Sequence, residues 1–598
     1  MDKILTRDEI KEEDKWDVDM LYQTKEEFDK DYQRIQNMIN ELANYKDTFL
    51  KTKENFKQML LLNEKTSRLL EKLYTYANLK SNENMDNPMY QELIGKASTL
   101  YQDYQEKLAY FEPMLLKEKE DTIKDYLQQE EIKQYTHTIL DTMRYKGHSM
   151  SEEEQKVLSA FLKTLESGSN AASYLMDADM RFGNIIDENG KEVELTESNY
   201  GIYLRSKNRE VRKAAFMRMQ EVFGSYKNTL TATLSGVVYE SATSARWNHF
   251  ASSLEATLYA NDIPVKLYDN LITCVHEHLP LLYQYFDLKK QALDLDEFHL
   301  YDGYVNTVDT IHTKYPFEKG KELVLEALSV LGEEYIEILK KAFEENWIDK
   351  YPNRGKTGGA YSSGCYDTKP YVLLNYTNTY DDVSTLAHEL GHSMHSYFSV
   401  HNNDYANYSY PLFLAEIAST VNELLFSYYM EQHTDDKKEK QAILNERLDM
   451  FKATVFRQTM FAEFEQHMHH MADKQAILTA EQLSNDYYEL NKLYFGKNVV
   501  VDDVIRYEWL RIPHFYRPFY VYQYATGLSI AAYIAKNILE QQEGFKEKYL
   551  TFLKAGGSNY PLETLKIIDV DLTDTKVFEE AMEMFKNTME EYQKVSNR

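Results

Sequence analysis

The sequence predicts a mainly α-helical protein with a small β-sheet beside one of its helices. Only 21 Gly and 11 Pro interrupt 598 residues, and long runs rich in Leu, Glu, Lys, Gln and Met repeat apolar residues at steps of three and four. Those two observations carry the helical part. The sheet rests on a third, the β-compatible run YVLLNYT at 371–377, which leads into the stretch DDVSTLAHELGHSMHSYF at 381–398.

Composition narrows the class. With 43% hydrophobic and 28% charged residues the chain reads as globular, and its net charge of -29 disfavours a nucleic-acid partner, which needs a basic surface. No apolar run reaches membrane-spanning length. The opening MDKILTRDEIKEEDKWDV lacks the apolar core of a secretory signal, so the expected location is cytoplasmic. Cys274 and Cys365 stand far apart and in no C-x-x-C pair, which leaves a metal to His and carboxylates.

In chain order, residues 1 to about 180 read as successive amphipathic helices, for example over 24–42 and 54–79, with no catalytic pattern. At 182–196 the texture changes to FGNIIDENGKEVELT, two short strands around Asn189-Gly190. We therefore expect an N-terminal helical lobe over 1–195 and a catalytic domain over 196–598. The basic and apolar stretch at 205–230 reads as a solvated helix with one apolar side.

The region 353–378, NRGKTGGAYSSGCYDTKPYVLLNYTN, is dense in glycine. Its Gly355-Lys356-Thr357 is not a phosphate-binding loop, because Lys350 stands where that pattern requires its first glycine. A flexible loop entering a strand fits better. An edge strand there can pair with an extended peptide through backbone hydrogen bonds, which makes Gly358, Gly359, Ala360 and Tyr361 candidate substrate-binding positions. A purely structural hairpin is the alternative.

In 381–398 the four-residue step puts His388 and His392 on one helical face, where both imidazoles can reach a single zinc ion. Glu389 sits beside them and can take a proton from a metal-bound water. Val383, Leu386, Ala387, Leu390, Met394 and Tyr397 form a separate apolar stripe, and Asp381 or Asp382 is the candidate N-cap. A metzincin pattern would need glycine at 395 and histidine at 398, but His395 and Phe398 stand there. The remaining source of a third ligand is the next helix, over 410–430. Glu416 lies there between Ala415 and Ile417, where an unpaired carboxylate is costly and metal coordination would resolve the cost. Glu423, two turns further on the same face, can accept a hydrogen bond from a ligating imidazole. Ordinary salt-bridged glutamates remain the alternative for both.

Downstream, EQHMHHM holds His467, His469 and His470 with no carboxylate partner following at ligand spacing, and reads as a solvated helix or an adventitious metal binder. The segment 511–527, RIPHFYRPFYVYQYATG, brings His514 close in sequence to Tyr516, Tyr520, Tyr522 and Tyr524, side chains able to donate to an oxyanion. In a chain with 49 Tyr, an aromatic core segment is the competing reading.

H-E-L-G-H at 388–392 followed by A-E-I-A-S-T at 415–420 resembles the oligoendopeptidase F branch of the thimet oligopeptidase family of zinc metallopeptidases. GGAYSSG at 358–364, HFYRPFYVYQYATG at 514–527 and GGSNYP at 556–561 extend the match over at least the C-terminal two thirds. The resemblance implies a two-lobed helical fold with one zinc ion deep in a channel that admits short unstructured peptides. It also implies His388, His392 and Glu416 as ligands and Glu389 as general base. In that family a histidine and tyrosines after the zinc motif stabilise the oxyanion; His514, Tyr520 and Tyr524 match those positions best, a further family tyrosine falls on Gly527, and Tyr522 remains a competitor and a candidate substrate-binding residue. The expected activity is zinc-dependent endopeptidase cleavage of oligopeptides. A dipeptidyl carboxypeptidase-type exopeptidase and a non-hydrolytic peptide binder are the alternatives.

Overall fold

Short polar side chains start the helices. Thr24, Thr52 and Asn87 each accept a backbone N–H at the head of Lys25–Ala43 (α1), Lys53–Glu83 (α2) and Pro88–Leu108 (α3). The computed structural model, which describes residues 4–308 and 313–596, is 71% helical. The helices expected over 24–42 and 54–79 are α1 and α2.

Two compact units emerge, each assembled from three segments of chain. The first comprises Met1–Gly147, His312–Tyr429 and Ile534–Val570; the second comprises His148–Ile311, Met430–Tyr533 and Asp571–Arg598. These spatial units cut the chain differently from the division expected at residue 195, which follows sequence texture. Within the first unit, segments distant in sequence close a shared core, as Phe28 and Leu73 do with Tyr371.

In the first unit, α1, α2 and α3 bury Phe28, Ile35, Ile39, Leu70, Leu73, Leu93 and Leu100 together with Tyr371 and Leu373 of the sheet. That sheet has three strands: Ile348–Asp349 (β1), Tyr361–Ser363 (β2) and Tyr371–Leu373 (β3), in the order β1-β3-β2. β3 pairs parallel with β1 and antiparallel with β2, in the register Tyr361↔Leu373 and Ser363↔Tyr371. The apolar run at 371–374 is buried throughout, so it forms the centre of the sheet, between the edge strands β1 and the half-buried β2. Seven residues after β3 the chain enters Tyr380–Asn402 (α4), and then Leu412–His433 (α5).

The N-cap of α4 is Thr379, one turn earlier than Asp382. Thr379 Oγ1 accepts the Asp382 N–H at 3.1 Å, and Asp382 accepts the Thr379 N–H at 2.8 Å. This reciprocal box satisfies two otherwise orphaned donors, which an aspartate cap alone would not do.

In the second unit, Asn184–Ile186 and Glu192–Glu194 form the hairpin expected around Asn189-Gly190, with Gly190 at φ +75°. Arg457–Asp473 (α6) carries the second histidine group. His467 and His470 are exposed, but His469 is buried, with Nδ1 3.2 Å from the Ser253 Oγ. The solvated reading fails for His469 because it falls on the core-facing side of α6 beside Glu465 and Met468. The aromatic segment then runs through Pro513–Tyr516 into Tyr522–Leu539 (α7).

Candidate active site

The apolar stripe explains why α4 presents a metal-binding face. Val383, Leu386, Ala387, Leu390 and Met394 are buried, which turns His388 and His392 onto a neighbouring, half-buried face with ring centroids 4.9 Å apart. α5 crosses α4 at very close range. A Cβ on Gly391 would lie 2.5 Å from the Ser419 Cα and 2.6 Å from the Ala418 carbonyl oxygen, so only glycine lets the two backbones meet there. Asn422 pins the crossing from within, donating to the Ala387 carbonyl at 3.0 Å and accepting from the Tyr335 hydroxyl at 2.9 Å.

That crossing delivers Glu416 to the histidines. Its Oε2 lies 3.7 Å from His388 Nε2 and 3.8 Å from His392 Nε2. One ligand atom from each of the three residues falls within 4.8 Å of the others, and among the described residues no other such group could hold a metal ion. On the far side of its ring, His388 Nδ1 is 3.0 Å from Glu423 Oε2. A carboxylate in that place takes the Nδ1 hydrogen and leaves the Nε2 lone pair for a metal. Two imidazoles and a carboxylate are a donor set suited to zinc, with room for a further ligand.

Glu389 is 7% exposed, and its Oε2 has no hydrogen-bond partner among the described residues. Burial drives its carboxyl up to about 7; the His388 charge opposes this and Glu416 reinforces it. For His388, burial acts downward, but the hydrogen bond to Glu423 and the surrounding carboxylates outweigh it and hold the imidazole at about 9. Burial, assisted by His388, lowers His392 to about 3. A divalent cation among these groups would favour neutral imidazoles and ionised carboxylates. His395, at the position of the metzincin glycine, is 1% exposed and stacks on Tyr410 at 3.7 Å, a core residue turned away from the ligand face.

The glycine loop is tied down at both ends. The buried ammonium of Lys356 donates to Asp349 Oδ1 at 2.6 Å and to the carbonyls of Tyr351 and Leu374. Asn375 donates to the Gly359 carbonyl at 2.8 Å, Gly359 has φ +78°, and Asn82 donates to the Tyr361 hydroxyl at 2.9 Å. Gly358 and Ala360 flank that left-handed residue at the entrance to β2. Ser362 Oγ of β2 lies 2.8 Å from Ser393 Oγ of α4, which fixes the edge strand to the histidine helix.

In the second unit, Tyr524 Oη lies 3.4 Å from His514 Nε2, and Tyr520 stacks near His514 with centroids 5.9 Å apart. The Arg517 guanidinium sits 4.3 Å over the Tyr520 ring. Among the described residues the Tyr520 hydroxyl has no hydrogen-bond partner, whereas Tyr524 is engaged. Burial, with Arg517 adding to it, lowers the His514 pKa. Tyr522, expected to compete for a substrate-facing place, is 2% exposed and packs on Tyr268 at 5.2 Å; it opens α7 on the helix side that faces the core, next to the buried Val521.

Comparison with known proteins follows the same lines. The model of Peptidase family M3 matches residues 202–584, and the Oligopeptidase F model matches 115–182. The chain is 42% identical to oligopeptidase PepF of Bacillus subtilis over 98% of its own length and 88% of that protein. It is 37% identical to the plasmid-borne oligoendopeptidase F of Lactococcus lactis subsp. cremoris, covering 98% of each. The crystal structure of oligoendopeptidase-F from Enterococcus faecium superposes with a TM-score of 0.76 at 35% identity, over 96% of this chain and 99% of that one.

Proposed function

The chain belongs to peptidase family M3 and is a metallo-oligopeptidase, and from that premise we propose that it cuts short unstructured peptides internally with one zinc ion held by His388, His392 and Glu416. The observation that carries the metal assignment is the convergence of those three donor atoms within 4.8 Å, with Glu423 behind His388. Zinc bound there supplies Lewis acidity toward a water and a peptide carbonyl. Glu389, with a carboxylate oxygen left without a partner among the described residues, takes the proton of the attacking water and returns it to the departing amine. His514 and the hydroxyls of Tyr520 and Tyr524 donate to the oxygen that gains charge in the transition state. Gly358 to Tyr361, entering the edge strand β2, supply backbone groups that pair with an extended peptide of little sequence preference. A cytoplasmic location belongs to the same proposal and rests on the sequence.

Incubation of a pool of end-blocked peptides, with and without a chelator, followed by mass mapping, tests this reading. Internal cuts that vanish with the chelator are expected. Release of C-terminal dipeptides from unblocked peptides, with blocked ones untouched, would replace it with an exopeptidase.

A further inference from the structure

We infer that Glu465 is a positioning residue for Tyr520, acting by clamping the left-handed backbone of Phe519. Phe519 has φ +53°, a conformation that a bulky L-residue holds only when its surroundings impose it. Two of the groups that hold Phe519 come from α6, and the Tyr268 ring packs edge-on against its ring with centroids 6.0 Å apart. Glu465 is fully buried, and its Oε1 accepts the Phe519 N–H at 2.7 Å. One helical turn later the His469 ring packs on the Phe519 ring with centroids 4.4 Å apart. His469 is itself held through Ser253 Oγ, which donates to Asp473 Oδ2 at 3.1 Å. Backbone and side chain of Phe519 are thus gripped from the same helix face.

The next residue in the chain is Tyr520. Its phenol is the one in this segment left without a hydrogen-bond partner among the described residues, so nothing at its tip orients it. The direction of its Cα–Cβ bond is set by the Phe519 turn, while its ring is flanked by Arg517 above and by the His514 and Tyr524 rings beside it. A carboxyl buried in this apolar place favours its neutral form, which still offers a carbonyl oxygen to the N–H. Neither Glu465 Oε2 nor His469 Nε2 has a hydrogen-bond partner among the described residues, so the single bond to Phe519 is the polar contact that Glu465 makes there. The inference rests on the proposed role of Tyr520 as a donor to the oxyanion.

The test is a double-mutant cycle on peptide turnover with Glu465→Leu and Tyr520→Phe, read as kcat and KM separately. Glu465→Leu removes the acceptor and is expected to lower kcat on the order of tenfold to a hundredfold, with KM within about twofold and zinc content unchanged. Glu465→Gln keeps a carbonyl oxygen at the same reach and is expected to retain kcat. In the double variant the losses should not add, because Glu465 acts through Tyr520. If Glu465→Leu fails to fold, Glu465→Asp takes its place, since it withdraws the acceptor by one methylene.

Unchanged kcat in Glu465→Leu, or in its Asp replacement, alongside a strong loss in Tyr520→Phe, overturns the inference and leaves the role of Tyr520 standing. Additive losses overturn it as well. Full activity in Tyr520→Phe overturns the role of Tyr520, and this inference with it.

Discussion

Glu423 Oε2 lies 3.0 Å from His388 Nδ1, so a residue one helix away decides which nitrogen of His388 faces Glu416 and His392. In the proposed metal site this pairing sets the basicity of the imidazole. Glu423→Ala is expected to weaken zinc binding on the order of tenfold to a hundredfold while leaving the helical content intact. Competition against a fluorescent chelator measures this. Undiminished affinity would show that His388 is oriented by other means.

Gly391 sets how closely α4 and α5 approach. Gly391→Ala places a methyl group against the Ser419 Cα and the Ala418 carbonyl, both backbone atoms that cannot swing aside. A loss of about 1–3 kcal/mol of stability is expected from this overpacking, together with weaker zinc binding as Glu416 is pushed from the histidines. Thermal unfolding with and without added zinc separates the two effects.

Lys356 tests the rejected phosphate loop. Its ammonium is buried on Asp349 and on backbone carbonyls, so Lys356→Met leaves several acceptors without a donor, although Arg7 still pairs with Asp349. A loss of about 3 kcal/mol is expected. Nucleoside triphosphate should shift the melting temperature of neither protein. A ligand-dependent shift seen only in the wild type would reopen the phosphate reading.

The buried His469 makes the second unit sensitive to acid. Burial lowers its pKa from 6.5 to about 3, so the unfolded chain takes up a proton that the folded chain refuses. Its contribution to stability is whole above pH 6.5 and is lost progressively as pH falls from there toward 3. Melting temperatures recorded between pH 7.5 and 4.5, values chosen around that window, should fall less steeply for His469→Gln than for the wild type. Parallel slopes would assign the acid sensitivity elsewhere.

What the sequence revealed of the site follows from periodicity. His388, His392 and the buried stripe of α4 are separated by their helical phases alone, and Glu416 stood out as a carboxylate among apolar neighbours. Gly391 and Asn422 did not stand out, because their importance exists only once α5 crosses α4. Thr379 was overlooked as the cap because the adjacent Asp381 and Asp382 offered the stronger local signal. The edge of the sheet moved from 371–377 to Tyr361–Ser363, since strand order is a long-range property. The burial of His469 and Tyr522 is not legible for a related reason: which side of an aromatic or histidine-rich helix is buried depends on its neighbours.

The central claim is that Glu389 moves the proton at a metal centre made by His388, His392 and Glu416. Zinc content and peptide turnover of Glu389→Gln, measured on the same preparation, test it most directly. One zinc ion per chain, with turnover lower by on the order of a thousandfold, is the expected result. Near-normal turnover with zinc still bound would contradict it.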